Sequence, residues 1–170
     1  MNTESIAPGT HHVWTIYLQA SEEARSRGDR RTGTDHILLA LLAYPEVEDL
    51  LGVRLGQARQ ALTSLDRVAL GALGLDDCDD APPLAMREVP TTPRFRDVAR
   101  ADRLRMTPAA KRILQDAVKP NRRKTYVTAS QVLAQILELR APDPAAVVLD
   151  ALGVDTALAR RRVETATPDT

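Results

Sequence analysis

Thr32-Gly33-Thr34-Asp35-His36-Ile37-Leu38-Leu39-Ala40-Leu41-Leu42 reads as a helix start followed at once by a buried helix. Gly33 can take backbone conformations that other residues resist. The Thr34 hydroxyl suits an N-cap, where it would accept from an orphan N–H of the first turn. Asp35 then sets a carboxylate at the positive end of the helix dipole. Ile37, Leu38, Leu41 and Leu42, with Ala40 between them, make most of the circumference apolar. Such a helix belongs inside a bundle rather than on its surface.

Outward from this stretch the pattern stays helical. Val13, Ile16, Tyr17, Ala20 and Ala24 recur at helical spacing and predict a first helix from about His12 to Arg27, with Trp14 beside the stripe. Gly28 ends it in the position after the cap that glycine favours. Pro45 breaks the chain after Tyr44. Val47, Leu50 and Leu51 mark a short third helix stopped by Gly52, and Leu55, Ala58, Leu62 and Leu65 a fourth.

The same plan then recurs. Thr107-Pro108 is an N-cap with proline at the first helical position. Ala110, Ile113, Leu114 and Ala117 match Val13, Ile16, Tyr17 and Ala20. Val132, Leu133, Ile136 and Leu137 match Ile37, Leu38, Leu41 and Leu42. Leu152-Gly153-Val154 matches Leu51-Gly52-Val53, and Arg160 matches Arg59. The order of blocks makes the chain a tandem duplication of a four-helix unit. The expected organisation is one all-α domain over 1–170 with about eight helices and a pseudo-twofold axis. Residues 12–65 form the first repeat and 107–164 the second, with a frayed tail at 165–170 and a disordered start at 1–11. The connection 66–106 carries the acidic run Asp76-Asp77-Cys78-Asp79-Asp80 in a solvated loop, and Thr92-Pro93 opens a short helix through Phe95, Val98 and Ala99.

Composition narrows the function classes. Aromatics are only 3% of the 170 residues, so the core must be built from Leu, Ala, Val and Ile. Basic and acidic residues balance at 23 each, which gives no global-charge argument for nucleic acid. The single cysteine, Cys78, excludes an internal disulfide framework. Residues 1–10 have neither a basic region nor an apolar run, and no stretch is long and apolar enough for a bilayer, so a soluble cytoplasmic protein is expected.

The quoted motifs resemble the amino-terminal domain of Clp unfoldases of the ClpC and ClpA type. Ala20-Ser21-Glu22-Glu23-Ala24-Arg25, Gly28, Gly33-Thr34-Asp35-His36-Ile37-Leu38-Leu39 and Leu51-Gly52-Val53 resemble that family's A-x-E-E-A-R, G-T-E-H-L-L-L and L-G-V. Thr107-Pro108-Ala109-Ala110-Lys111-Arg112-Ile113-Leu114 is similar to its T-P-R-A-K-K-V-L. The resemblance implies two four-helix repeats and a non-catalytic module that recruits substrates and adaptor proteins to an ATP-driven ring. No G-x-x-x-x-G-K-[ST] phosphate loop occurs in this sequence, so the motor itself is missing from it. The chain departs from the family pattern at Thr128-Ala129-Ser130-Gln131, at Pro120, and after Leu42, where a loss of about six residues should leave the third helix short.

In some ClpC-type domains the G-T-E-H segment receives a phosphorylated arginine, and the resemblance carries this to Gly33, Thr34, Asp35 and His36. Free N–H groups at a helix start hold phosphate, and a carboxylate pairs with guanidinium. Thr128, Ala129 and Ser130 would form a degenerate second site without the carboxylate. The simpler alternative is that Thr34 and Asp35 only cap a helix. His36 has no second histidine or cysteine at ligand spacing and reads as a packing or hydrogen-bonding residue, so no metal is expected. His11-His12 carries no site by itself. No nucleophile–base–orienter set can be assembled, so neither enzymatic activity nor a cofactor is expected. Expected partners are a Clp unfoldase, its adaptors, tagged substrates or ligands that target the unfoldase, including phosphoarginine-bearing protein, with delivery and sequestration both open. Arg122-Arg123-Lys124 and Arg160-Arg161-Arg162 raise the alternative of a small helical regulatory or nucleic-acid-binding protein. They lack the aromatic interleaving that base stacking uses, and solvated faces explain them better. An inert scaffold is the third reading.

Overall fold

A computed structural model of the chain describes residues 10–74, 104–119 and 126–166. The expectations placed on residues 1–9, on the acidic run and Thr92-Pro93, on Pro120 and Arg122-Arg123-Lys124, and on 167–170 lie outside the described residues. Within them the first half comprises β1 (Thr10–His12), α1 (Val13–Ser26), β2 (Arg31–Thr32), α2 (Thr34–Leu41), α3 (Pro45–Leu51) and α4 (Leu55–Ala72). The second comprises β3 (Arg105–Met106), α5 (Pro108–Val118), β4 (Tyr126–Thr128), α6 (Ala129–Leu137), α7 (Pro144–Ala151) and α8 (Thr156–Ala166).

The quoted stretch is the centre of this arrangement. Every residue of α2 is buried, and α2 packs on α1, α4, α5, α6 and α7. Isolated eight-residue helices are marginal in water, so packing rather than propensity holds this one. Its large apolar side chains, Ile37, Leu38, Leu39 and Leu41, are all 0% exposed. Each contributes about 1.5–3 kcal/mol through burial.

The repeat read from the sequence is a repeat in packing. Ile16, Tyr17 and Ala20 are buried, as are their counterparts Ile113, Leu114 and Ala117. Ile37, Leu38, Leu41 and Leu42 and their counterparts Val132, Leu133, Ile136 and Leu137 are all buried too. α2 meets its counterpart α6. α2 also packs on α7 while α6 packs on α3, and α4 packs on α7 while α8 packs on α3. Exchange of the two halves converts each of these contacts into the other, which is the pseudo-twofold relation in terms of neighbours. Gly52 and Gly153 end α3 and α7 at φ +68° and +67°, a left-handed conformation that a side chain would strain.

Several boundaries differ from expectation. His11 and His12 belong to β1, not to a disordered start: β1 pairs antiparallel with β4, and β2 pairs parallel with β3. Each half's lead-in to its first helix thus joins the other half's lead-in to its second helix. Hydrogen bonding between halves outweighs weak local propensity here, and the opposite senses of the two ladders break the twofold. α4 runs through residue 65, into the expected connection, as far as Ala72; α8 likewise reaches Ala166, inside the expected tail. The shortening after Leu42 falls mostly in the α2–α3 connection (42–44, against 138–143), so α3 is only one residue shorter than α7.

Candidate functional site

The start of α2 differs from the sequence expectation in one instructive way. Gly33, not Thr34, is the N-cap. Its φ of −95° and ψ of −177° are extended backbone that any residue adopts, so glycine is not needed here for its conformational range. It is needed for space: a Cβ on Gly33 would stand 2.3 Å from Asp35 Oδ1. The Asp35 carboxylate folds back over the bare cap.

Lacking a side chain, Gly33 is capped from the third helical residue. The Gly33 N–H donates to His36 Nδ1 at 3.0 Å. On the other edge of the ring, His36 Nε2 lies 2.9 Å from Asp29 Oδ2. Asp35 Oδ1 lies 3.2 Å from the same Nδ1 that Gly33 uses. From Asp29 the chain of charges continues: Arg27 Nε donates to Asp29 Oδ2 at 3.4 Å, and Arg27 Nη2 donates to Asp66 Oδ2 on α4 at 2.6 Å. Burial disfavours the His36 cation, yet the hydrogen bond and charge of Asp35 and the charge of Asp29 outweigh it and raise the His36 pKa. Burial likewise works against the Asp35 anion, and the His36 side chain with its backbone N–H overcomes it, with Arg27 helping, so the Asp35 pKa is lowered.

Thr34 faces away from this cluster. It is 1% exposed, and its hydroxyl donates to Asp143 Oδ1, the N-cap of α7, at 2.7 Å. Ala145 N–H donates to Asp143 Oδ1 at 3.0 Å. Thr34 is therefore a tie between halves, with its buried hydroxyl engaged by Asp143.

Gly33, Asp35 and His36 line the floor of an open cleft of about 790 Å³. Arg27, Asp29, Arg30, Arg31 and Asp66 supply its charged lining. α4 gives an apolar wall through Leu65, Val68, Ala69 and Ala72, and α7 faces it through Pro144, Val147 and Val148. Val68 is 71% exposed, an unusual amount of apolar surface for one side chain. Sequence reasoning did not find Asp29, Arg27, Asp66 or the α4 wall. Their sequence separations from α2 carry no periodic signal.

At the expected degenerate site, Thr128 caps α6. Thr128 Oγ1 accepts from Gln131 N–H at 3.1 Å, and Gln131 Oε1 accepts from Thr128 N–H at 3.0 Å. Thr128-x-x-Gln131 is a capping box, a signal legible in the sequence. Gln131 thereby does for Thr128 what His36 does for Gly33. Ala129 is buried, Ser130 is half-buried, and no carboxylate stands in this segment.

The Arg160-Arg161-Arg162 cluster is partly occupied by the fold. Arg160 donates to the Leu137 carbonyl and lies 3.3 Å from Glu138, while Arg162 donates to the Leu50 carbonyl at 3.2 Å. Among the described residues no group of three or more His, Cys, Asp or Glu side chains could hold a metal ion. No described helix is long and apolar enough to cross a membrane.

Comparison with solved structures identifies the fold. The chain is similar to the N-terminal domain of the caseinolytic protease associated chaperone ClpD from Arabidopsis thaliana, with a TM-score of 0.61 over 98% of each chain. It has a Clp N-domain-like fold. Sequence identity is 19%, so the likeness speaks for architecture alone. No family model matches the sequence, and no curated protein matches it.

Proposed function

We propose that the protein is a non-catalytic binding module that takes a cationic, arginine-type side chain of a partner protein into the α2–α4–α7 cleft. One observation carries this reading: three carboxylates, Asp29, Asp35 and Asp66, linked through His36 and Arg27, line one cleft whose other lining includes the apolar faces of α4 and α7. A guanidinium can pair with carboxylates there while the neighbouring residues of its chain lie on Leu65, Val68 and Val147. Arg30 and Arg31 in the same lining would accommodate a phosphoryl group, so phosphoarginine fits the charge pattern. Thr34 plays no part in that recognition. The Clp N-domain-like fold supports partners from a Clp system in the cytoplasm, namely the unfoldase, its adaptors or its tagged substrates, which the module would deliver or sequester.

Titration of phosphoarginine followed by amide NMR tests the reading. Amides of Gly33–Ile37 and of Arg27–Arg31 should move, and those of Thr128–Val132 should stay still. Asp35→Ala should remove the response with the fold retained, because Gly33 and His36 make the cap. Equal shifts at both helix starts, or none at either, would overturn it.

A further inference from the structure

One nitrogen at the head of α2 has two partners with opposite requirements. His36 Nδ1 is 3.0 Å from the Gly33 N–H, which needs a lone pair, and 3.2 Å from the Asp35 carboxylate, which needs a proton. It cannot serve both. With the ring neutral and its proton on Nε2, Nε2–H donates to Asp29, Nδ1 accepts from Gly33, and Asp35 is left to the cleft. With the ring doubly protonated, Nδ1–H donates to Asp35 and the Gly33 N–H loses its acceptor.

We infer that His36 is a proton-operated gate on the cleft: the neutral ring caps α2 and leaves Asp35 to a cation, and the protonated ring takes Asp35 for itself. Proton uptake from water adds one positive charge at Nδ1, breaks the Gly33 bond and forms the Asp35 bond. It places an imidazolium between Asp29 and Asp35, two of the three carboxylates that line the cleft. Among the described residues, the charged groups lining the cleft with His36 are these. Asp29, Arg30 and Arg31 come from the α1–α2 connection and β2, Arg27 follows the end of α1, Asp35 lies on α2 and Asp66 on α4, while α7 offers only Pro144, Val147 and Val148. Arg27 is tied to Asp66 and Asp29, so it does not replace the His36 charge. The raised His36 pKa brings the transition toward neutral pH, and the lowered Asp35 pKa keeps that carboxylate charged throughout.

The second repeat supplies the control. Gln131 stands at the position of His36 and accepts from the cap N–H through Oε1 at 3.0 Å, with no titratable group. His36→Gln should therefore keep the cap and remove the gate. The effect on ligands rests on the cation-binding reading above; the switch itself does not.

The experiment follows His36 ring nitrogens and the Gly33 amide by NMR in the free protein from about pH 5 to pH 8, the range in which histidine titrates. The expected result is one shared midpoint for Nδ1 protonation and the Gly33 amide shift, with the Gly33 amide flat in His36→Gln. A flat Gly33 amide in the unsubstituted protein, or an Nδ1 protonated throughout, would overturn the switch. Should His36→Gln fail to fold, Asp35→Asn serves instead, and it should lower the shared midpoint. A second arm titrates a blocked arginine amide. Its affinity should be about tenfold weaker at the acid end, a coupling of ordinary size between two sites, and pH-independent in His36→Gln. Equal affinity at both ends with Gly33 still titrating refutes the gate. Absence of arginine binding at every pH refutes the cation-binding reading, and the Gly33 titration then decides the switch alone.

Discussion

Thr34, in the first turn of α2, donates its hydroxyl proton to the carboxylate of Asp143, the residue that caps α7 in the other half of the molecule. The bond spans 109 positions of sequence at 2.7 Å. A residue that looks like a local helix cap is thus a tie between repeats. Its counterpart, Ala129, is buried without a hydroxyl to offer, so the tie exists once and the pseudo-twofold is chemically uneven.

Thr34→Val keeps the shape and removes the donor. Hydrogen bonds to charged groups contribute about 1.5–3 kcal/mol, and because Asp143 is only half-buried and regains water, the lower end is expected. Urea denaturation should show that loss with an unchanged slope. Combined with Asp143→Ala in a double-mutant cycle, the pair should couple by about 1 kcal/mol. Additive losses would mean that the two residues act separately.

Gly33→Ala separates the site from the fold. The backbone at Gly33 accepts any residue, and the atom a Cβ would meet is the far end of the Asp35 side chain, which can swing away. The stability cost should be about 0.5–1 kcal/mol, the ordinary penalty for alanine at a cap. The larger effect should fall on His36: with Asp35 displaced, its NMR-measured pKa should drop. A loss of several kcal/mol would instead show that the chain around the cap cannot yield.

The helices and the duplication were legible because each rests on short-range pattern. Apolar residues at helical spacing predicted both α2 and α6, and Thr107-Pro108 announced α5 directly. What the sequence hid was pairing across the halves. Nothing local in Thr10-His11-His12 says that it will meet Tyr126-Val127-Thr128, and an isolated three-residue strand has no periodicity to detect. The candidate site divided the same way. Gly33, Asp35 and His36 were visible as a motif. Asp29, Asp66 and the exposed end of α4 reach the cleft only after the connection and α4 have folded around α2. Thr34 was misassigned as the cap because the N-cap falls one residue earlier, at Gly33, which leaves the Thr34 hydroxyl to donate to Asp143 and accept from Ala145 N–H in the other half.

The Glu23–Arg59 pair should matter more than any surface ion pair. Glu23 is 4% exposed, and Arg59 donates to it through Nε at 3.2 Å and Nη2 at 2.6 Å. Arg59→Ala strands a buried carboxylate, which costs about 3–5 kcal/mol in closed sites; with the Arg59 side chain 30% exposed, the lower figure is expected. Glu23→Gln in the Arg59→Ala background should recover part of the loss. By contrast, Asp66→Ala removes a partner that is 58% exposed, and thermal denaturation should move by less than the equivalent of about 1 kcal/mol.

Stability should also depend on pH through His36, with a sign fixed by the direction of its shift. Its pKa in the folded protein is raised above 6.5, because Asp35 and Asp29 outweigh burial. A raised pKa means that the folded state binds the proton more tightly than the unfolded one. The contribution is therefore fully present below 6.5 and is lost as pH rises through the folded value. Asp35 acts in the opposite sense: its lowered pKa contributes above the ordinary carboxylate value of 3.8 and is lost as pH falls through the folded value. Together they leave the pair at full strength in the mildly acid window between those two limits. Urea midpoints should then fall as pH is raised from about 5 to about 8, where histidine discharges. His36→Gln should flatten that decline and also shrink the acid limb, because the His36 side chain is the main group that lowers the Asp35 pKa. A midpoint that rises across the same range in the unsubstituted protein would reverse the sign, and would mean that the Gly33 hydrogen bond to the neutral ring outweighs the two carboxylates.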